Sequence, residues 1–160
     1  MSTQPSFQIT YLDRTSAINL IREPIPDKSR LPKYDDDAVE EILRLTRGQP
    51  FLIQAMCSVL FARINQSNSR QAFVTVDMVE QSIEMVFEQY EPYFQDYWSD
   101  AGHDGQPILL RLAEESEKLE DINRPILRDL ERRLIIERDS QGVYQFQIPL
   151  FREWILMYEL

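Results

Sequence analysis

In the stretch LTRGQPFLIQ (45–54), a glycine and a proline stand two residues apart inside a sequence that is otherwise helical in pattern. Proline has no N–H and cannot continue a helix already under way, but it fits a first turn, where that donor has no intrahelical acceptor. Glycine is the residue that most readily ends a helix in a left-handed conformation. Gly48 and Pro50 therefore split the stretch into two helices around a corner. An ordinary helix–helix turn accounts for this spacing by itself, and leaves open whether Gly48-Gln49-Pro50 also presents a face to a ligand.

The flanking sequence fits that corner. Before it, Ala38, Ile42 and Leu45 share one helical face, behind an acidic start in which Asp37 and Glu40 have capping-box spacing. After it, Phe51, Leu52, Ala55, Met56, Val59 and Leu60 form a wide apolar stripe, which predicts the most buried helix of the first half. Upstream, FQITYL (7–12) reads as a short strand, and DRTSAINLIREPI as a helix capped by Asp13 or Thr15 and stopped by Pro24 and Pro26. PDKSRLPKY and NQSNSRQAF read as a loop and a polar linker. Thr75 caps a further helix carrying Val79, Ile83, Val86, Phe87 and Tyr90, and Pro92 kinks or restarts it. SDAGHDGQ reads as a loop, which places a subdomain boundary between residues 98 and 99.

The second half follows a different order. PILLRLAEES gives a short helix, and EDINRPILRDLERRLI gives a turn and a second helix with Ile126, Leu127 and Leu130 inward. LIIERD and VYQFQI are strands joined at Asp139-Ser140-Gln141-Gly142, and PLFREWILMYEL closes with a helix. The fold class expected is therefore mostly α: a helical subdomain over 1–98, then a winged helix-turn-helix with a small β-hairpin over 99–160.

Composition limits the chemistry. The 160 residues carry a net charge of -10, which argues against broad charge-driven binding to nucleic acid or anionic membranes. The single cysteine, Cys57, cannot form an internal disulfide, which suits a cytoplasmic protein. No leader pattern or membrane-spanning apolar run is visible. The four glycines (Gly48, Gly102, Gly105, Gly142) build no phosphate loop, and no GxSxG or HExxH motif occurs. One cysteine and one histidine are too few for a zinc site, so no metal is expected. His103 reads as a loop histidine, and DDDAVEE as an acidic helix start favoured by the helix dipole rather than a cation site. By its residues the chain is not an enzyme, and no catalytic residue is assigned.

A winged helix raises a second possibility, DNA binding through Arg124, Arg128, Arg132 and Arg133 on the second helix. Residues 119–138, however, hold five arginines against five acidic residues, and spacings such as Arg128–Glu131 and Asp129–Arg133 suit pairs along a solvated helix. Packing against protein is the favoured reading of this segment, and a DNA partner the less favoured one. A third class is an autonomous protein-interaction module.

INLIREPI, YDDDAVEEILRLTRGQPFLIQAMCSVLF, VTVDMVEQSI and ILRDLERRLIIERDSQGVYQFQIPLFREWI, in this order, resemble the region that follows the ATPase core in STAND-class ATPases, signalling relatives of AAA+ and origin-recognition ATPases. The resemblance covers roughly residues 9–158. It implies a helical lid up to about residue 98 followed by its winged helix, with residues 1–12 as the exit from a nucleotide-binding core. It further implies that Gly48, Gln49 and Pro50 lie against adenine, with the proline in contact and free N–H groups at the helix start beside it. ATP or ADP would be the cofactor of the longer polypeptide, and its core, with a sensor or effector domain, the partners. Related NB-ARC proteins carry a phosphate-contacting histidine after the hairpin. Pro149 stands near that place here, so no such contact is implied. The phosphate loop, magnesium-binding strand and catalytic acid would all precede residue 1, which implies a longer protein or a lid-like module working without a core. The aromatic run Tyr93, Phe94, Tyr97 and Trp98 is either a hinge between lid and winged helix or core.

Overall fold

In the computed structural model, residues 11–24, 31–66, 73–114 and 123–160 are described. They form seven helices and two small two-stranded sheets: α1 (Arg14–Arg22), β1 (Lys33–Tyr34), α2 (Asp36–Thr46), α3 (Pro50–Gln66), β2 (Phe73–Val74), α4 (Val76–Gln89), α5 (Glu91–Glu114), α6 (Arg124–Arg132), β3 (Ile136–Arg138), β4 (Tyr144–Phe146) and α7 (Pro149–Tyr158). The chain divides into two compact units, Met1–Ser82 and Ile83–Leu160, so the division falls within α4. The sequence had placed its boundary sixteen residues later, after Trp98.

In the first unit, α1 and α4 each start with a polar side chain that accepts an orphan backbone donor. The Asp13 carboxylate caps α1 by accepting from Ser16 N–H at 2.8 Å. Thr75 does the same for α4, accepting from Met78 N–H at 3.3 Å. At α2 the N-cap is Asp35, and its side chain makes no capping bond, so the expected Asp37–Glu40 box does not form. Glu40 instead pairs across to Arg14 of α1, and Asp36 pairs with Arg22 at 2.6 Å. These two bridges tie α1 to the acidic start of α2, and Arg14 holds the Glu40 carboxyl below its usual range.

The apolar faces meet in a core. Ala17 and Ile21 of α1, Ala38, Ile42 and Leu45 of α2, and Leu52, Ile53, Met56 and Leu60 of α3 are all buried. Each large side chain of this kind withdrawn from water contributes on the order of 2 kcal/mol. Phe51 departs from its expected place in the buried stripe and is 39% exposed, while Ile53, outside that stripe, is buried. Both follow from the register of α3 once Pro50 fixes its first turn. The loop expected over 26–34 ends in β1, which pairs in parallel with β2 (Lys33 with Phe73, Tyr34 with Val74). Residues 26–30 of that loop, 67–72 of the expected linker and 7–10 of the expected strand lie outside the described residues, and Asn65 and Gln66 belong to α3. Tyr11 and Leu12 are not in a strand.

The second unit is built on aromatic rings. Trp154 of α7 is 1% exposed and lies between Phe94 of α5 and Phe151, with ring centroids at 6.2 and 5.8 Å and interplanar angles of 14° to both. Phe87 meets Phe94 edge-on at 5.0 Å, and Tyr97 meets Phe151 at 5.4 Å. Of the aromatic run 93–98, Phe94 is buried in this core, and the half-buried Tyr93, Tyr97 and Trp98 set their rings against Phe94, Phe151 and Trp154 respectively.

The expected loop SDAGHDGQ is helical on both sides of a single break inside α5. Gly102 adopts φ 71° and ψ 173°, a backbone that side-chain-bearing residues rarely take. The Gln106 side chain spans the break, donating to the Trp98 carbonyl at 3.0 Å. His103 is therefore an exposed helix residue, not a loop one. Beyond α6, β3 and β4 pair antiparallel, with Ile136 opposite Phe146. The Asp139 carboxylate shapes the turn by accepting from Gln141 and Val143 N–H at 2.8 and 2.9 Å, and Gly142 takes φ 80°. Pro149 occupies the first turn of α7.

Candidate functional site

The corner of residues 46–50 is built by a chain of local bonds. Thr46, fully buried, donates its hydroxyl to the Ile42 carbonyl at 2.7 Å. Arg47 and Gly48 both take left-handed conformations, with φ 54° and 78°, which reverse the chain after α2. Gln49 then starts α3: its side-chain oxygen accepts from Leu52 N–H at 2.8 Å, and its carbonyl from Ile53 N–H at 3.1 Å. Glutamine takes over here the role usually played by serine or aspartate.

Two consequences follow for the site. Pro50 lacks a donor and Leu52 N–H is spent on Gln49, so the free N–H groups expected beside Pro50 are reduced. Outward, the corner offers the charged Arg47 and, on the α3 side, an apolar edge. Pro50 is half-buried and Phe51, next to it, is exposed. Sequence periodicity hid Phe51, because it falls at the edge of an otherwise buried stripe.

Gly48 itself is buried, and its importance lies on the other side. Leu12 N–H donates to the Gly48 carbonyl at 2.9 Å, and a Cβ at position 48 would stand 2.8 Å from the Leu12 carbonyl oxygen. Leu12, just ahead of α1, thus lies directly on the corner. All three residues singled out in sequence, Gly48, Gln49 and Pro50, meet there, in structural roles that can each be named.

The arginines of α6 separate into two kinds. Arg133 is tied to Asp129, Nε to Oδ2 at 2.9 Å. The expected Arg128–Glu131 pair is not the one formed, since Glu131 faces Arg138 of β3 at 3.4 Å. Arg138 also lies over the Tyr144 ring, 5.7 Å from its centroid. Arg124, Arg128 and Arg132 are exposed, and their four-residue spacing aligns them along one side of the helix.

Cys57, on α3, sits beside Tyr34, and burial pushes its thiol up to about 11. Burial also pushes the Tyr34 phenol up. Only the thiolate is nucleophilic, so Cys57 in the folded chain should react with iodoacetamide at pH 8 about 100-fold more slowly than after denaturation. The same shift acts on stability. A thiol raised in the fold contributes fully below its unfolded value near 9, and that contribution is lost as pH rises through about 11. Equal alkylation rates in folded and unfolded chain would show that Cys57 is not held in an apolar wall.

Among the described residues, no group of three or more His, Cys, Asp or Glu is arranged to hold a metal ion, and no helix is long and apolar enough to cross a membrane. Comparison with protein-family models, with curated proteins and with solved structures found no match to this chain.

Proposed function

We propose that this chain is the lid and winged-helix portion of a STAND-type ATPase switch, in which the Gly48-Gln49-Pro50 corner covers the adenine of a nucleotide held by a core in the same polypeptide. The observation that carries this reading is the Leu12–Gly48 backbone bond, which holds Leu12, just ahead of α1, onto the Gly-Gln-Pro corner. A lid must keep its ligand-facing corner in register with the chain that leaves the core, and this bond does so. Pro50 and Phe51 supply a rigid apolar edge suited to the face of a base. The order of α5, α6, the β3–β4 hairpin and α7 supports a winged helix-turn-helix in the second unit. Nucleotide exchange would act as a switch because lid and winged helix make different contacts in the two nucleotide states.

The experiment takes the native polypeptide, sized by immunoblot and purified, and titrates it with a fluorescent N-methylanthraniloyl-ADP. Saturable binding, weakened about ten-fold by Pro50→Ala, is the expected result. A polypeptide of 19.0 kDa that binds no nucleotide would overturn the reading.

A second reading rests on the exposed row Arg124, Arg128 and Arg132, which suits the phosphates of a duplex. Duplex binding at low salt that falls steeply with added salt would favour it. The net charge of -10 and the ties on Arg133 and Arg138 weigh against it.

A further inference from the structure

Two to three turns along α3 from the corner, the first unit holds a cleft of about 330 Å³. Ligand pockets begin at roughly 300 Å³, so a small organic molecule fits. Leu20 and Ile21 of α1, Leu31 and Pro32 ahead of β1, and Phe61 of α3 make its walls apolar. Tyr34 and Cys57 also line it. A second cleft, of about 350 Å³, shares Leu31, Pro32 and Tyr34 with the first and adds Arg22, Lys33 and Phe73.

The second cleft carries two positive side chains and borders the apolar one along Leu31, Pro32 and Tyr34. Arg22 is held in place by the Tyr34 carbonyl at 3.0 Å and Asp36 at 2.6 Å. A guanidinium carries five donors, so these two bonds leave it able to take another acceptor. Lys33 is exposed at the same mouth. Phe61 and Phe73 stand at the rims, 37% and 48% exposed, an arrangement that leaves apolar surface in water unless something covers it.

We propose that these two adjacent clefts together bind a small amphiphilic carboxylic acid, its apolar body among Leu20, Leu31, Pro32 and Phe61 and its carboxylate reaching past Leu31 and Pro32 toward Lys33 and Arg22. An apolar wall alone would accept any greasy molecule, and the paired cations select an anion among them. Asp36 opposes the same anion through its hold on Arg22, which sets Lys33 as the main electrostatic contact. The site does not rest on the nucleotide reading, since it uses neither Pro50 nor Phe51.

The test is calorimetric titration of the full chain with 2-naphthoate and, separately, with the neutral 2-naphthylmethanol. Ser58 lines the first cleft and is exposed, so Ser58→Trp fills the space without entering the core. Saturable binding of the acid is expected, weakened about ten-fold by Ser58→Trp and about five-fold by Lys33→Glu. The alcohol should bind more weakly than the acid and be indifferent to Lys33→Glu. No saturable binding of the acid, or equal affinity in wild type and Ser58→Trp, would overturn the site. Equal affinity for acid and alcohol would overturn the carboxylate assignment.

Discussion

Gly48→Ala should destabilise the chain by about 3 kcal/mol. Two independent penalties combine. A side-chain-bearing residue at φ 78° costs roughly 1–2 kcal/mol. A Cβ 2.8 Å from the Leu12 carbonyl oxygen adds roughly 1–3 kcal/mol, because a backbone oxygen cannot swing aside as a flexible side chain would. The thermal midpoint should fall by about 6–12 °C, read by circular dichroism at 222 nm. Arg47→Gly provides the contrast. Arg47 already sits at φ 54° with a side chain attached, so glycine there should raise stability by about 1 kcal/mol. Should Gly48→Ala change stability by less than 1 kcal/mol, the corner relaxes around a methyl group, and the close approach of Leu12 is not what shapes it.

The second large effect belongs to Trp154→Ala, expected to cost about 4 kcal/mol. The indole is 1% exposed and lies between Phe94 and Phe151, with Trp98 at 6.3 Å and Tyr158 at 5.9 Å. Its removal therefore opens a void bounded by rings, which are stiff and close poorly over a gap. Trp154→Phe keeps a planar ring in the stack and should cost about half as much. Denaturant unfolding followed by far-UV circular dichroism measures both, and near-UV spectra report whether the remaining rings stay ordered. A loss under 2 kcal/mol for the alanine variant would mean that the second unit does not depend on this stack.

Much of the local structure was legible because it is written in short-range chemistry. Asp13, Thr75, Pro50 and Pro149 announced helix starts, and Asp139 to Gly142 announced a hairpin turn. Each of these depends on residues within four positions. The features that escaped depend on distance or on a single residue's tolerance. The β1–β2 pair joins Lys33–Tyr34 to Phe73–Val74 through two residues each, too few for any period to show. SDAGHDGQ carries two glycines and reads as a break, yet only Gly102 leaves the helical conformation, and helix resumes on both sides. The acidic residues at 35–41 could be placed at a helix start, but their partners Arg14 and Arg22 lie on another helix and were invisible.

The candidate site was legible in the same uneven way. Gly48, Gln49 and Pro50 could be singled out from spacing, and the need for glycine and proline followed from backbone geometry. The capping bond of Gln49 could not, since glutamine is seldom a cap. The close passage of Leu12 could not either, because it joins residues thirty-six apart in sequence. The exposure of Phe51 is set by helix register, which Pro50 fixes only once the corner has formed. On α6, charge counting recognised a neutral segment. It did not distinguish Arg133, which is tied to Asp129, from the exposed Arg124, Arg128 and Arg132.

The Leu12–Gly48 bond also has a mechanical side. A pull on the chain ahead of Leu12 divides at that residue, one branch running along the covalent backbone into α1 and the other through a single hydrogen bond into the start of α3. The two helices therefore carry such a load in parallel while the bond holds. Once it parts, the load enters through α1 alone, while the corner keeps its own local bonds. The load then reaches α3 only through the buried side chains of the shared core, not through the backbone bond.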